Sequence, residues 1–391
     1  MLNDTRYIPF IKRHRAASEL SYVEDALKLD LLEHGSKYAR MCEQWIKNYY
    51  HCKDVIVTSS GFTALYIIML LENIRIGDEV VISSYSCPSA MNSVLLANGT
   101  PVLCGIDDRG CIDVVAFKQA ISEHTKMVIL NHYGGFACDM QKIINICKEK
   151  NIIVVEDCAT AMGSIYQGKL LGTMGEYAIV SFNDKKDVTA GEGGALIINK
   201  ENMNSKTYIY NNGVKRIHST NGGRGVPTWC GAGYSNKISD ITAAFLYAQL
   251  LETDLIIRKK QSLWKKYYDE LRGFACKYDF QICENSSYSR TNGNTFYIKF
   301  SDKETRDFVK SGLLSIGIET LAHYGTLKTC MNIDSRIKYY GVDDGSVFDS
   351  LILRLPIYTE LEIDDIAYIC KKVVNELEMK NNGKYSIDSK M

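Results

Sequence analysis

The chain has 391 residues, enough for a large core and for two domains. Hydrophobic residues make up 46% and charged residues 24%, with 46 basic side chains balancing 46 acidic ones. That balance argues against nucleic acid or an anionic membrane as partner, and no apolar run reaches the length of a membrane span.

The N-terminus, Met1-Leu2-Asn3-Asp4-Thr5-Arg6, lacks the apolar stretch of a secretory signal. Thirteen cysteines, an odd number without a Cys-x-x-Cys pair, argue against a disulfide framework or a zinc ribbon. They fit a reducing, cytoplasmic compartment. Seven histidines form no His-Glu-x-x-His cluster, so no metal site is expected.

Residues 18–50 read as two amphipathic helices around Leu31 to Ser36. From Val55 to Asn199 short apolar runs alternate with helical stretches. Strands are expected at Val55–Thr58, Glu79–Ser83, Pro101–Gly105, Lys126–Leu130, Ile152–Glu156, Ala178–Ser181 and Ala195–Asn199. Helices are expected over Asp113–Ser122 and Asp139–Glu149, among others. This alternation predicts an α/β layer with a mostly parallel sheet, whose ligands sit at the carboxyl ends of strands. Ser60, Tyr85, His132, Asp157 and Ser181 fall at or just past such ends, so one crevice could collect them.

Residues 207–236 are rich in Gly, Asn and Ser, and Asn221-Gly222-Gly223-Arg224-Gly225 reads as a loop. One long helix is expected from Ser239, as N-cap, to Leu271. Then come a strand at Thr295–Phe300, a helix at Thr305–Leu314, a strand at Ile318–Ala322 and a helix over 362–378. The expected organisation is a large domain over 1–250, a smaller α+β domain over 251–380 and a polar tail over 381–391.

Three local features carry chemistry. Val55–Thr58 runs into Ser59-Ser60-Gly61 and a helix follows, which suits a phosphate: free N–H groups and the positive dipole end meet an anion there. A plain serine N-cap is the alternative. Val154-Val155-Glu156-Asp157 ends a strand on an acid, and Lys186 lies between Ser181 and Gly191-Glu192-Gly193-Gly194. An aldehyde cofactor needs a lysine to condense with it and a carboxylate for its ring nitrogen, and pyridoxal 5'-phosphate (PLP) needs that pair plus a phosphate site.

Together these residues resemble the DegT-type nucleotide-sugar aminotransferases, PLP enzymes of the aspartate-aminotransferase fold (fold type I), from Ile8-Pro9-Phe10 to Leu353-Arg354-Leu355-Pro356. Val188 through Gly194, Thr228-Trp229, Ala243-Ala244, Ala248-Gln249-Leu250 and Phe296–Lys299 resemble the branch acting on dTDP-4-amino-4,6-dideoxygalactose. The resemblance implies a mostly parallel central sheet with helices on both faces. It makes Lys186 the cofactor lysine rather than Lys185, Asp157 the ring acid, and Ser181, Ser60, Gly61 and Phe62 phosphate ligands. Ser235 falls where relatives reach the phosphate of the other subunit, so a homodimer with shared sites is implied.

The chain departs from the family pattern at Phe62, usually threonine, at Cys87, usually an aromatic ring stacked on the cofactor, and at Thr160, usually glutamine. Thr63 or backbone N–H groups are the substitutes for the lost threonine, and Tyr85 is the nearest aromatic to Cys87. His132 is expected to line the pocket beside the ring, and His323 and Tyr324 to meet the sugar. Arg216 and Arg224 are candidates for its diphosphate. The implied reaction moves an amino group from L-glutamate to C4 of a nucleotide-linked 4-keto-6-deoxyhexose, dTDP-linked, for a surface glycan. Another keto sugar or a keto-cyclitol as acceptor, or a PLP-binding regulatory protein without turnover, remain the alternatives.

Overall fold

The computed structural model describes residues 6–30, 37–201, 213–217, 226–231, 233–234, 238–322, 324–341 and 344–383. The seven expected strands of the first half all form: β1 Asp54–Thr58, β2 Glu79–Ser83, β3 Thr100–Cys104, β4 Thr125–Asn131, β5 Ile153–Asp157, β6 Tyr177–Ser181 and β7 Gly194–Ile198. Their apolar runs are buried almost throughout, as strands covered on both faces must be. In the sheet they lie in the order β1-β7-β6-β5-β4-β2-β3. Only β7 runs against its neighbours, pairing antiparallel with β1 and β6. The carboxyl ends of β1, β2, β4, β5 and β6 therefore share one edge.

An eighth strand comes from far along the chain. Lys338–Tyr340 pairs in parallel with β3 at the sheet's other edge. A stretch of the expected C-terminal domain thus extends the large sheet. The rest of that region forms a three-stranded antiparallel sheet of Phe280–Ile282, Phe296–Phe300 and Ile352–Leu355, in that order. Helices Lys303–Ser315 and Ile363–Asn381 bury Val309, Leu313, Ile366, Ile369 and Val373 in its core.

Two expectations differ from the structure. The helix from Ser239 is two helices, Asp240–Leu251 and Thr253–Leu271, meeting at Glu252. Ser239 does cap the first, accepting from Thr242 N–H at 3.2 Å. At the break, the Glu252 carboxylate accepts from Ala17 N–H at 2.9 Å and bonds His14 Nε2 at 2.8 Å. The docked N-terminal segment thus meets the one residue that leaves helical geometry. Ile318–Ala322 makes only single bridges, Ile318 to Ile8 and Leu321 to Arg354. Val214–Ile217 and Val226–Trp229 pair as antiparallel strands, and the loop expected at Asn221–Gly225 lies outside the described residues.

Candidate active site

A cleft of about 670 Å³ opens along the carboxyl edge of the large sheet. Its first wall is built from strand ends. β1 turns at Ser59-Ser60 into the helix Gly61–Leu71. Ser60 caps that helix, its Oγ accepting from Thr63 N–H at 3.1 Å. A side chain on Gly61 would press its Cβ to 3.0 Å from Ser181 Cβ at the end of β6, and one on Gly194 would collide with the Gly61 backbone. Glycine at both positions lets the helix start and Ser181 close into one cup, lined by Ser60, Gly61, Phe62 and Ser181. Its helix-start N–H groups and hydroxyls fit the phosphate of PLP.

Asp157, at the end of β5, faces the same cleft and is 6% exposed. One of its oxygens accepts from Ala159 N–H at 3.0 Å. Burial pushes its pKa up, against the pull of that N–H and of the Lys186 charge. A cationic ring nitrogen placed opposite would offset the same desolvation, so Asp157 fits the ring end of the cofactor. Lys186 also lines the cleft, and burial lowers its pKa despite the Asp157 charge. A lysine shifted in that direction holds more of its amine neutral, the form that attacks an aldehyde or takes a proton. Lys185 reaches the cleft too but is exposed.

The departures from the family pattern sit around this pocket. Phe62 lies parallel to Tyr66 with ring centroids 6.3 Å apart. Thr63 does not stand in for a phosphate ligand from its neighbour's place: its hydroxyl is buried against Ser60 Oγ at 2.9 Å and Ser59 Oγ at 3.3 Å. Cys87 lines the cleft as the residue before helix Pro88–Leu96. Tyr85 is fully buried behind it, its hydroxyl donating to Asp349 at 3.3 Å, and offers no face to the cleft. Thr160 lines the cleft while donating to the His132 carbonyl at 3.3 Å.

His132 is a correction to the sequence reading, since its ring lies behind the cleft wall, fully buried. Nδ1 accepts from Cys138 N–H at 3.2 Å, so the ring proton sits on Nε2 and is donated to Glu156 at 3.2 Å. Glu156 also accepts from the N–H groups of Gly172, Met174 and Gly175, each at 2.7 Å. His132 and those donors hold its pKa down although it is fully buried. His132, Glu156 and Cys158 bring three possible metal-ligand atoms within 4.8 Å of one another. The four hydrogen bonds to Glu156 already satisfy its carboxylate, so the protein itself explains the cluster. The reason His132 is absent from the cleft is that this buried acid needs its proton.

The second wall comes from the chain's two ends. Tyr324 lines it, in edge contact with Tyr85 and Tyr133 at 6.1 and 6.0 Å. Phe10, Asn294, Leu321 and Arg354 join it and were not singled out as site residues by sequence. Arg354 left one signal, a lone charge inside the apolar strand Ile352-Leu353-Arg354-Leu355. Arg216 lies on the strand Val214–Ile217. Its side chain, together with Arg224, Ser235 and His323, lies outside the described residues.

Residues 14–374 match the DegT/DnrJ/EryC1/StrS aminotransferase family. The chain is 24% identical over 373 residues to the GDP-perosamine synthase of Escherichia coli O157:H7, covering 94% of this chain and 98% of that protein. It is 29% identical over 269 residues to the GDP-perosamine synthase of Vibrio cholerae, covering 68% and 71%. The PLP form of Spr1654 from Streptococcus pneumoniae, described as a sugar aminotransferase, has the same fold. It shares 20% identity at a TM-score of 0.85, covering 95% of this chain and 99% of that one.

Proposed function

The chain belongs to the DegT/DnrJ/EryC1/StrS aminotransferase family, and from that premise we propose that it passes an amino group from L-glutamate to a nucleotide-linked 4-keto-6-deoxyhexose, at C4. It is a PLP-dependent aminotransferase of fold type I. The observation that carries the reading is the meeting of Lys186, Asp157 and the Ser60-Gly61 turn in one cleft.

Bound PLP would supply an electron sink for the carbon that gains or loses the amine. Ser60, Gly61 and Ser181 would hold its phosphate, and Asp157 its ring nitrogen. The Asp157 carboxylate would keep a proton on that nitrogen. Lys186 Nζ would anchor the cofactor and then act as the base that takes the proton from the donor's α-carbon. The same amine would return a proton to the acceptor's carbon in the second half of the cycle. The buried walls would keep water from these transfers.

The dTDP-linked sugar rests on the branch resemblance at Val188–Gly194 and Phe296–Lys299. A GDP-linked acceptor is the second reading, favoured by the names of the two relatives. A homodimer, with Ser235 reaching the neighbour's phosphate, belongs to the same proposal, as does a product destined for a surface glycan. Incubation with PLP, glutamate and either the dTDP- or the GDP-linked 4-keto-6-deoxyhexose, followed by mass spectrometry and NMR, tests it. Amination at C4 of one sugar supports the reading and names the nucleotide. Amination of neither, with turnover of a keto-cyclitol, overturns it. Light scattering of the loaded protein tests the dimer, which a fully active monomer would exclude.

A further inference from the structure

Asp187 follows Lys186 directly, and both border one small space of about 20 Å³ behind the cleft, with Thr160, Ser181 and Asn294. A carboxylate drawn out of water there is stabilised by a nearby cation. Two lysines compete for it: Lys186 beside it in sequence and Lys260 from the helix Thr253–Leu271. The structure gives it to Lys260. That side chain is 4% exposed, and its Nζ pairs with Asp187 Oδ1 and donates to the Asn294 carbonyl at 3.2 Å. Asn294 Nδ2 donates to Asp187 Oδ2 at 3.0 Å, so both carboxylate oxygens are engaged. Thr295 Oγ1 fixes that amide by donating to Asn294 Oδ1 at 2.9 Å, and Arg354 Nη2 donates to Thr295 Oγ1 at 2.9 Å. The loop over 291–294 holds the clamp in place. Gly293 has φ +80°, and a Cβ there would come to 2.6 Å from the Lys260 backbone, so glycine lets the loop lie on the helix. Gln261 Nε2 donates to the Thr291 carbonyl at 2.8 Å. Asn292 Nδ2 donates to the carbonyls of Thr160 and Met162 at 3.2 and 3.0 Å. The loop is thus tied both to the helix that carries Lys260 and to the segment after β5.

We propose that Lys260 is a positioning residue for Lys186: with Asn294 it keeps the Asp187 carboxylate from the Lys186 amine, which stays available to the cofactor aldehyde. The inference rests on the reading of Lys186 as the cofactor lysine. Four groups set the charge around that amine: Asp157 from the end of β5, Cys87 from the turn before helix Pro88–Leu96, Arg354 from the C-terminal strand, and Asp187. Burial is the largest influence and favours the neutral amine, with Arg354 acting in the same direction. Asp157, Cys87 and Asp187 favour the ammonium. A carboxylate released from Lys260 would turn the acid nearest in sequence onto this balance. An amine held as ammonium neither attacks an aldehyde nor takes a proton. Lys260 therefore acts through Asp187, without touching substrate or cofactor.

The test compares the full chain as wild type, Lys260→Met, Asp187→Asn and the double variant. The titration midpoint of Lys186 is read on the cofactor-free chain by competitive labelling with trace acetic anhydride and peptide mapping. On the PLP-loaded chain it is read from the pH dependence of the visible cofactor band. The midpoint should rise by on the order of one pH unit in Lys260→Met, where Asp187 has lost its cation. It should fall in Asp187→Asn, where the Lys260 charge is left uncompensated, and return to within about 0.3 of a pH unit of wild type in the double variant. A purely structural role would lower stability and leave the midpoint in place. Equal midpoints in all four chains would therefore overturn the proposal, and so would a rise in Asp187→Asn. If Lys260→Met does not fold, the fall in Asp187→Asn and its reversal in the double variant decide the question. Labelling of the cofactor-free chain needs no turnover. If no amino donor or keto sugar is converted, the aminotransferase reading fails, and the midpoints still decide Lys260.

Discussion

The two walls of the cleft were built by different means. The sheet-side wall consists of strand ends and the first residues after them: Ser60, Gly61, Asp157, Ser181 and Lys186. Each sits in a short run whose local pattern, an apolar strand meeting a turn or a helix start, already fixes where its side chain emerges. The facing wall takes Phe10 from the N-terminal segment, Asn294 from a loop before a strand, and Tyr324 and Arg354 from the far end of the chain. No local pattern relates these four. On the proposed reading the first wall would hold groups that do chemistry on any substrate, and the second groups that select one. Changes to the first should therefore act on rate, and changes to the second on binding.

The largest expected effect is on the first wall. Lys186→Ala removes both anchor and proton carrier, and turnover should fall by on the order of 10⁴ or more. Borohydride reduction of the loaded wild type, followed by peptide mapping, should place the cofactor on Lys186. Label on Lys185 instead would show that the register against Ser181 and Gly191 is misread. Asp157→Asn comes next. It keeps the side chain's shape and removes its charge, and the glutamate half-reaction should slow by on the order of 10²-fold, about 3 kcal/mol of barrier. A rate within about threefold of wild type would reduce Asp157 to a strand-end acid.

Lys260→Met addresses the link between the walls. It leaves the half-buried Asp187 without its buried cation, which should cost about 2 kcal/mol in urea unfolding. Adding Asp187→Asn to the same chain should recover much of that loss. No recovery would mean that Lys260 stabilises by packing alone.

The last effect, of similar size, is a pH dependence beneath the first wall. Glu43 accepts from Val57 N–H at 3.3 Å, and burial lifts its pKa to about 7. Between the unfolded value of 4.5 and about 7, the folded chain holds this proton and the unfolded chain does not. Its contribution to stability is therefore full below pH 4.5 and is lost as pH rises through 7. Glu43→Gln keeps a neutral side chain at every pH. It should gain on wild type by about 2–3 kcal/mol between pH 5 and pH 8 in urea unfolding. A constant difference across that range would mean the carboxyl is solvated.

Much of the sheet was legible because its strands are short, apolar and separated by helices, so periodicity marks them without tertiary information. The cofactor wall was legible because strand ends and glycine turns are local. The break at Glu252 was not, since residues 240–271 read as one helix and the partners of Glu252, His14 and Ala17, lie more than 200 positions away. Tyr85 and His132 show the opposite error. Both stand in sequence where a cleft residue should be, but one packs with Tyr133 and Phe348 and the other is claimed by Glu156.

By itself, then, the amino-acid order determined the alternating strands, the Ser60-Gly61 turn and the positions of Asp157 and Lys186, because each depends on neighbours within a few residues. Tertiary structure alone decided that Lys338–Tyr340 would extend the large sheet. It alone turned His132 toward a buried acid and linked Arg354 through Thr295 and Asn294 to Asp187, the residue after Lys186. Those outcomes depend on which buried charges find which partners. A charge removed from water is stabilised by whatever donor or acceptor the packed chain brings within hydrogen-bond reach, and sequence separation does not enter that energy.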